Sequence, residues 1–272
     1  MVWTSVKTLL LAALVVGVSA KDDWGYREDS EEQVGPSNWA SRYANCSGKH
    51  QSPINLEYSG DSVIDLWGTT DIAPIKFTGD CKKFNLKTLE DLYKWELGAD
   101  QSCKISLQLE NGKTYSLAQF HVHTPSEHTI NGHHYGGEIH FVHKEDNGSG
   151  LLVTGLLLNP EKHVPENAWI EDVWRTMNDG VEDKVVPAEL EVNYVDLLNS
   201  IVYTSHLFNY AGSLTTPPCS EIVNWWVINN PLSISLSELK HLREKYAERP
   251  STDKGRDNRP TQELNDRKVK YY

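Results

Sequence analysis

The 272-residue chain is predicted to form one mainly β domain (α+β), in which short peripheral helices surround a large, mostly antiparallel, twisted sheet. Segments that alternate apolar and polar residues, as half-buried strands do, are numerous. Two-residue turns such as Asn111-Gly112 and Asn131-Gly132 join some of them, and such turns are the strongest short-range hairpin signal. Helical patterns are few, and no repeat or linker divides the chain, so a single sheet-based domain is favoured.

The first residues have the composition of an export signal. Lys7 precedes a short apolar run that ends in small residues at Ala20, before a charged segment. The run is too short for a comfortable membrane span, and no later segment is long and apolar enough. We therefore expect residues 1–20 to be a signal peptide and residues 21–272 to be a secreted domain without a membrane span.

Strand patterns dominate the chain after an irregular N-terminal arm over residues 21–50, which Trp24, Tyr26 and Trp39 are expected to anchor. The expected strands lie at 72–77, 84–89, 104–109, 114–122, 137–143, 151–158 and 222–228, with Gly79-Asp80 as a turn between the first two. Helices are expected at 165–177 and, from the capping-box pattern at Ser235 and Glu238, at 235–246. The segment around Leu197-Leu198 is ambiguous.

Charge and cysteine content narrow the function classes. All 38 acidic residues follow Ala20 and one of the 26 basic residues precedes it, so the mature chain has a net charge of −13. Such a surface disfavours nucleic acid as a partner.

An even number of cysteines without a C-x-x-C motif favours disulfides in an oxidising compartment, although spacing leaves three pairings open. The cysteines are Cys46, Cys81, Cys103 and Cys219, and the candidate N-glycosylation sites are Asn45 and Asn147.

The stretch 119–128 carries the first chemical signal. In an extended strand His121 and His123 leave the same face, about 7 Å apart, and two imidazoles can converge on one zinc ion with bonds of about 2.0–2.1 Å. Gln119 shares that face and can orient a ligand ring through its second nitrogen. A lone His-x-His is more often a hydrogen-bonded pair on a polar strand face, so the interpretation depends on a further ligand.

A second alternating segment supplies that ligand. Glu138 and His140 share a face, so His140 is expected to bind the metal and Glu138 to orient its ring. Three histidines with an open fourth position form a catalytic rather than a structural zinc site. His128 and His143 compete for the role, but a proline precedes His128 and His143 has the opposite parity, so both are expected to be structural.

Several longer motifs extend the pattern beyond the histidines. They are Trp24-Gly-Tyr26, Gln51-Ser-Pro-Ile-Asn55, Phe120-His-Val-His123, Ser126-Glu-His-Thr129, Gly137-Glu-Ile-His140, Phe141-Val-His143 and Ser213-Leu-Thr-Thr-Pro-Pro-Cys-Ser-Glu221. These motifs resemble those of the α-carbonic anhydrases of the secreted type, and the similarity extends from about Trp24 to Arg267. The resemblance implies a central sheet of about ten strands and reversible hydration of carbon dioxide to bicarbonate and a proton by zinc-bound hydroxide. The zinc ligands would be the three histidines named above.

The same resemblance implies roles for other residues. Thr215 would accept a hydrogen bond from the hydroxide and donate one to Glu127, which is chemically consistent because an ionised carboxylate only accepts. It also implies a Cys46–Cys219 disulfide, which leaves Cys81 and Cys103 as the remaining possible pair. The carbon dioxide pocket would comprise Val142, Val153, Leu214, Val223 and Trp225, and the polar positions that order water would be Tyr26, Asn85, Gln119 and Thr216.

Two positions depart from the family pattern. Lys82 stands where fast members have a histidine proton shuttle, and an unperturbed lysine has a pKa of about 10.4, far above the value near 7 of the proton donor. We therefore hypothesise that proton export to buffer limits the rate. The segment from Asp257 to Pro260 is one residue shorter than the family pattern, so the carbonyl that supports the middle histidine belongs either to Asp257 or to Asn258.

Two alternative functions differ from this interpretation. A zinc hydrolase would attack small esters, but a narrow pocket lined by Val142 and Val153 favours the smallest substrate. The second alternative is a non-catalytic binding or matrix protein that retains the fold. The loss of a ligand histidine would indicate such a protein. All three histidines are present.

Overall fold

A computed structural model describes residues 23–66, 68, 72–110 and 112–272. The expected signal peptide at 1–20 and Asn111 of the first hairpin turn lie outside the described residues. The described strands are β1 (Asn55–Leu56), β2 (Val63–Asp65), β3 (Ile75–Thr78), β4 (Lys83–Thr88), β5 (Tyr93–Leu97), β6 (Lys104–Leu107), β7 (Lys113–His123), β8 (Thr129–Ile130), β9 (His133–His134), β10 (Gly137–Glu145), β11 (Leu151–Glu161), β12 (Val185–Glu189), β13 (Leu207–Gly212), β14 (Val223–Ser235) and β15 (Val269–Tyr271).

Twelve of these strands form one mostly antiparallel sheet, which confirms the predicted fold class. The strand order is β12-β4-β5-β7-β10-β11-β14-β13-β15-β2, with β6 paired to β7 and β3 paired to β6. The continuous path has ten strands, close to the expected number, and β3 and β6 lie off this path. Among the strands that the sequence did not predict, β2 and β15 have three residues each, too few to show alternation. A small separate sheet has the order β1-β8-β9.

Most strand boundaries differ from expectation by a few residues. The last long strand begins at Val223 and continues to Ser235, well beyond the predicted end at 228. The predicted hairpin between 104 and 122 is present, because β6 and β7 are antiparallel neighbours. Strands β3 and β4 do not pair with each other, so Gly79-Asp80 connects them without closing a hairpin.

Three α-helices among the described residues pack against this framework, and their starts follow from capping side chains. Helix α1 (Ala168–Asp179) begins where the Asn167 side chain accepts hydrogen bonds from two main-chain N–H groups, three residues later than predicted. The ambiguous segment forms helix α2 (Tyr194–Val202). Helix α3 (Leu236–Ala247) has the predicted capping box of Ser235 and Glu238.

The central strands bury both faces of the sheet. On β10, Ile139 and Phe141 join a large aromatic core that also receives the three helices. Val142 faces the other way and packs with Val153 and Trp225 in a second, smaller cluster. Period-two alternation thus gives β10 a core face and a second face, on which the candidate metal ligands lie.

The N-terminal arm is fixed by aromatic packing and a disulfide. Trp24, Tyr26 and Trp39 form a buried, edge-to-face cluster, as expected for anchors. The arm is joined to the loop after β13 by the predicted Cys46–Cys219 disulfide, and the second pair is Cys81–Cys103. Asn45 and Asn147 are both exposed, as glycosylation would require. No helix among the described residues is long and apolar enough to cross a membrane.

Candidate metal centre

Three histidines converge where β7 and β10 lie side by side. His140 is directly opposite His121 in the antiparallel register, and His123 lies two residues further along β7 on the same face. The ring centroids are 5.0 Å apart for His121 and His123, 5.2 Å for His121 and His140, and 4.7 Å for His123 and His140. One nitrogen from each ring lies within 4.8 Å of the other two, which is close enough to surround a single ion.

Each ring uses its other nitrogen to contact an oxygen atom. Gln119 Oε1 lies 2.9 Å from His121 Nδ1, and Glu138 Oε1 lies 3.0 Å from His140 Nε2. The main-chain oxygen of Asp257 lies 2.9 Å from His123 Nδ1, so the structure selects Asp257 rather than Asn258. These oxygens accept N–H hydrogen bonds and thereby fix the tautomer of each ring. The unprotonated nitrogens, His121 Nε2, His123 Nε2 and His140 Nδ1, remain available to bind a metal ion.

Glu127 completes the interior of this cluster. Its Oε1 accepts a hydrogen bond of 2.9 Å from the Arg259 main-chain N–H. Its Oε2 has no hydrogen-bond partner and lies 3.5 Å from His123 Nε2 and 3.8 Å from His140 Nδ1. His123 Nε2 is likewise buried without a hydrogen-bond partner. Buried polar atoms are almost always satisfied, so these two atoms indicate that the cluster holds something else.

The electrostatics of the cluster favour a cation. Burial lowers the pKa of His121 well below its ordinary value, with the neighbouring His123 and His140 rings acting in the same direction. Burial also opposes protonation of His123, but the carboxylates of Glu127 and Asp257 outweigh it and raise its pKa to about 10. The carboxylates that stabilise a proton on His123 would stabilise a metal ion beside the neutral ring in the same way.

Glu138 supports two histidines at once. Burial opposes its ionisation, yet His128 and His140 hold the pKa of its carboxyl well below the usual range. His128 Nδ1 lies 2.7 Å from Glu138 Oε1, and His128 Nε2 lies 2.7 Å from the Tyr210 hydroxyl. Both nitrogens of His128 therefore have partners. The grouping of His128, Glu138 and His140 is a hydrogen-bond network rather than a second metal site.

Thr215 is buried in the loop between β13 and β14, which several contacts hold in place. The loop is fixed by the disulfide at Cys219 and by reciprocal hydrogen bonds between Ser52 and Ser213. Thr215 lines the same cavity as His121 and His140. Among the described residues no hydrogen bond joins the Thr215 and Glu127 side chains, and Glu127 Oε2 has no hydrogen-bond partner.

The cavity above the histidines has a volume of about 720 Å³ and contains most of the predicted pocket. Val223 does not line the cavity, although it belongs to the same apolar cluster as Val142 and Val153. Tyr26, Asn85 and Lys82 are also absent from the lining. Tyr26 is buried, and its pKa is raised well above the ordinary value by burial and by nearby carboxylates including Glu127. The predicted residues that do line the cavity are Gln119, Val142, Val153, Leu214, Thr215, Thr216 and Trp225.

The sequence did not predict three charged residues of the cavity lining. Lys94 and Glu96 lie on β5 opposite His121 and Gln119, and Lys144 extends the face from β10. Glu96 forms ion pairs with Lys94 and with Lys87. Alternation on β5 indicates which residues share a face, but only the pairing of β5 with β7 brings that face to the histidines. The order of strands in the sheet was not predicted, so these residues were missed.

Comparison with known proteins places the chain in a family. A model of the eukaryotic-type carbonic anhydrases matches residues 34–272. A carbonic anhydrase of Klebsiella pneumoniae is 30% identical over 269 residues, covering 97% of each chain. Alpha carbonic anhydrase 3 of Arabidopsis thaliana is 32% identical over 247 residues, covering 88% of this chain and 81% of the relative.

Solved structures agree with this relationship. The α-carbonic anhydrase of Thermovibrio ammonificans, solved in complex with the inhibitor sulfanilamide, superposes with a TM-score of 0.71 at 32% identity. The match covers 91% of this chain and 98% of that structure.

Proposed function

The chain belongs to the eukaryotic-type carbonic anhydrase family and is a carbonate dehydratase, and we propose that it hydrates carbon dioxide reversibly at a zinc ion held by His121, His123 and His140. One observation carries the proposal: three neighbouring rings each have one nitrogen bonded to an outer oxygen, while their remaining nitrogens lie within 4.8 Å of one another.

The donor set fits zinc. Imidazole nitrogen is a preferred zinc ligand, and three protein ligands leave a fourth position for water or substrate. The buried His123 Nε2 and Glu127 Oε2 have no hydrogen-bond partner, as expected of atoms that surround an ion and its reactant. When bound, zinc supplies Lewis acidity that brings the pKa of a coordinated water to about 7, the general property of carbonic anhydrase sites.

The chain's own residues orient the rings and the reactants. Gln119, Glu138 and the Asp257 carbonyl keep the three rings in their metal-binding tautomers. In the proposed mechanism the Thr215 hydroxyl would accept a hydrogen bond from the hydroxide that attacks carbon dioxide and would donate a hydrogen bond to Glu127. The free Oε2 of Glu127 is a suitable acceptor because the Arg259 N–H already occupies Oε1.

The cavity selects the substrate by its apolar wall. Val142, Val153 and Trp225 face the cavity from three adjacent strands, and they offer no hydrogen bond that would compete for a small apolar gas. Carbon dioxide held there lies beside the histidine cluster. Bicarbonate, which is charged and polar, is not stabilised by this wall and is displaced by water.

We further propose that residues 21–272 form the mature domain of a secreted glycoprotein, after removal of a signal peptide at 1–20. The two disulfides support this because such bonds persist in oxidising compartments. The exposed sequon asparagines Asn45 and Asn147 are accessible to a glycosyltransferase. Mass spectrometry of the exported protein tests the cleavage after Ala20 and the occupancy of both asparagines.

Zinc content and carbon dioxide hydration measured on one purified sample test the proposed activity. We expect stoichiometric zinc and a hydration rate that disappears on dialysis against a chelator and returns with added zinc. Full zinc with no hydration would instead support the alternative of a non-catalytic binding protein. Hydration that survives complete removal of zinc would refute the assigned site.

A further inference from the structure

A second cavity lies next to the chain segment that follows the metal centre, and it shares no lining residue with the carbon dioxide cavity. Its volume is about 680 Å³. Thr124 and Pro125 form part of its wall, directly after the candidate ligand His123. Its other walls come from the β9 hairpin, from α3 and from the turn that follows α3. None of the residues assigned to the proposed reaction lines it.

The charge of this cavity is opposite to that of the whole protein. Aspartate and glutamate outnumber lysine and arginine by 38 to 26 in the chain. The described lining of this cavity nevertheless contains no aspartate or glutamate. All of its ionisable side chains apart from Tyr135 are basic: His133, His134, Arg243, Lys254 and Arg256.

The three stronger bases of the lining have no carboxylate partner. Within the described part of the chain, no carboxylate oxygen lies within 4.0 Å of a side-chain nitrogen of Arg243, Lys254 or Arg256. Elsewhere on the surface, lysines such as Lys104 and Lys113 do find a carboxylate, at 2.7 Å and 2.8 Å. Unpaired like charges around one concave surface repel each other and attract an anion, more strongly than on an open surface.

The main chain that carries these cations is held in a defined conformation. Asp253 and Arg256 exchange main-chain hydrogen bonds of 2.9 Å and 3.0 Å, closing a tight turn whose tip is Lys254 and Gly255. Gly255 has φ +86° and packs so closely on α3 that an added Cβ would lie 2.7 Å from the Arg243 carbonyl oxygen. The turn therefore packs against Arg243 of α3, the residue that carries the third positive charge. Because this main chain is already ordered, the binding of an anion costs less conformational entropy.

We propose that this basic cavity, defined by Arg243, Lys254, Arg256 and the His133–His134 pair, binds a phosphate or sulfate group. Guanidinium groups recognise such oxyanions through paired N–H donors, and lysine adds a point charge. The group is either a free ion or part of a small organic molecule, since the cavity is larger than one tetrahedral anion requires. Its cavity shares no lining residue with the one that holds the substrate.

Calorimetric titration of the zinc-loaded protein with inorganic phosphate, and then with phenyl phosphate, tests the proposal at constant ionic strength. We expect saturable binding of phosphate that the double variant Arg243→Gln/Arg256→Gln weakens by roughly a hundredfold, because each of the two lost charged hydrogen bonds costs about tenfold. Lys76→Gln is the matched control, since Lys76 is also exposed and unpaired but lies on β3, and its affinity should equal that of the wild type.

The outcomes separate the two cavities. Both arginines are exposed and the double variant leaves the metal centre intact, so phosphate affinity that persists in it would belong to the zinc site and would overturn the proposal. The absence of saturable binding to the wild type would overturn it as well. Tighter binding of phenyl phosphate than of phosphate identifies the organic form as the ligand, and equal or weaker binding identifies the free ion.

Discussion

Strand β10 carries buried histidines on both of its faces, and the two faces differ in how the rings are used. His140 faces the cavity, with Nε2 held by Glu138 and Nδ1 directed at two other histidines. His143 faces the aromatic core, where Nδ1 lies 3.0 Å from the Phe141 carbonyl and Nε2 lies 3.4 Å from the Tyr194 hydroxyl. Both rings are nearly inaccessible to solvent.

Burial and residue type therefore do not separate a metal ligand from a structural histidine. The separating feature is a ring nitrogen that lacks a protein hydrogen bond and lies close to other such nitrogens. His128 supports this distinction, because it is as buried as the other two and both of its nitrogens are bonded. The two faces of β10 are therefore expected to respond differently to substitution.

The largest effect is expected on the cavity face. Replacement of His121, His123 or His140 by alanine should remove most of the bound zinc and lower carbon dioxide hydration by more than about 10³-fold, because each variant loses one of three protein ligands. Metal analysis and stopped-flow hydration measure the two losses.

The matched variants His128→Ala and His143→Ala test the two structural histidines. These variants should retain stoichiometric zinc when folded, although both will be destabilised by the loss of buried hydrogen bonds. Zinc retained in the His140 variant and lost in the His143 variant would show that the faces of β10 have been assigned the wrong way round.

A pair of buried threonines gives the second test. Thr215→Val should keep zinc but lower the hydration rate by about 10²-fold, the usual cost of losing one positioned hydrogen-bonding group at a reaction centre. Thr154→Val is the isosteric control. Thr154 lies opposite Phe141 on the core side, and its hydroxyl is buried without a hydrogen-bond partner. This variant should keep full activity and equal or greater stability, so equal losses in the two variants would argue against a specific role for Thr215.

The distinction between the two faces was accessible from the sequence because alternation is a local property. Parity alone placed His140 with Glu138 and separated both from His143, and family motifs supplied Thr215 and Glu127. The capping box at Ser235 and the Asn131-Gly132 turn were equally local, and both are present, with Asn131 at φ 48° and Gly132 at φ 77°.

Features that depend on distant pairing were not accessible in the same way. The contribution of Lys94 to the cavity follows from the placement of β5 beside β7, which alternation does not reveal. The supporting carbonyl of Asp257 comes from a segment 134 residues beyond His123. The short strands β2 and β15 pair with each other in parallel at one edge of the sheet, and neither carries enough residues to show a pattern.

A smaller effect, on stability, is expected from the core face at low pH. Burial lowers the pKa of His143 to about 4, despite hydrogen bonds to main-chain carbonyls that oppose the shift. The unfolded chain, with a histidine pKa near 6.5, binds more protons than the folded protein between pH 6.5 and 4. Folding stability should therefore decrease as the pH falls through this range, by about 3 kcal/mol from this residue.

His143→Gln isolates that contribution because glutamine does not titrate. Denaturant unfolding at a series of pH values should give the wild type a steeper loss of stability between pH 6.5 and 4 than the variant. The difference between the two curves is the quantity of interest, since other groups titrate in both proteins. Parallel curves would mean that folded His143 takes up its proton as readily as an unfolded histidine.

The smallest effect concerns the export of the proton from the cavity face. His121 and His140 are the only histidines in the described lining of the carbon dioxide cavity, and both are assigned to the metal. Lys82 immediately precedes β4, and there its main-chain N–H donates to the Gln101 side chain and its carbonyl accepts from the Leu190 N–H. The described lining therefore offers no histidine beyond the metal ligands, and imidazole is the side chain whose ordinary pKa matches a donor near 7.

We therefore expect proton transfer to buffer to limit turnover. The hydration rate at neutral pH should rise several-fold as imidazole is added, and Lys82→His should raise the rate in dilute buffer, because an imidazole has a pKa near that of the donor. Lys82→Gln removes the charge without adding a titrating ring, and Lys83→His places the ring on the exposed neighbour that pairs with Asp100. Neither control should raise the rate. A wild-type rate that is high in dilute buffer and unchanged by imidazole would assign proton export to another group of the cavity lining. Lys94 and Glu96 are candidates, because they line the cavity opposite His121 and Gln119.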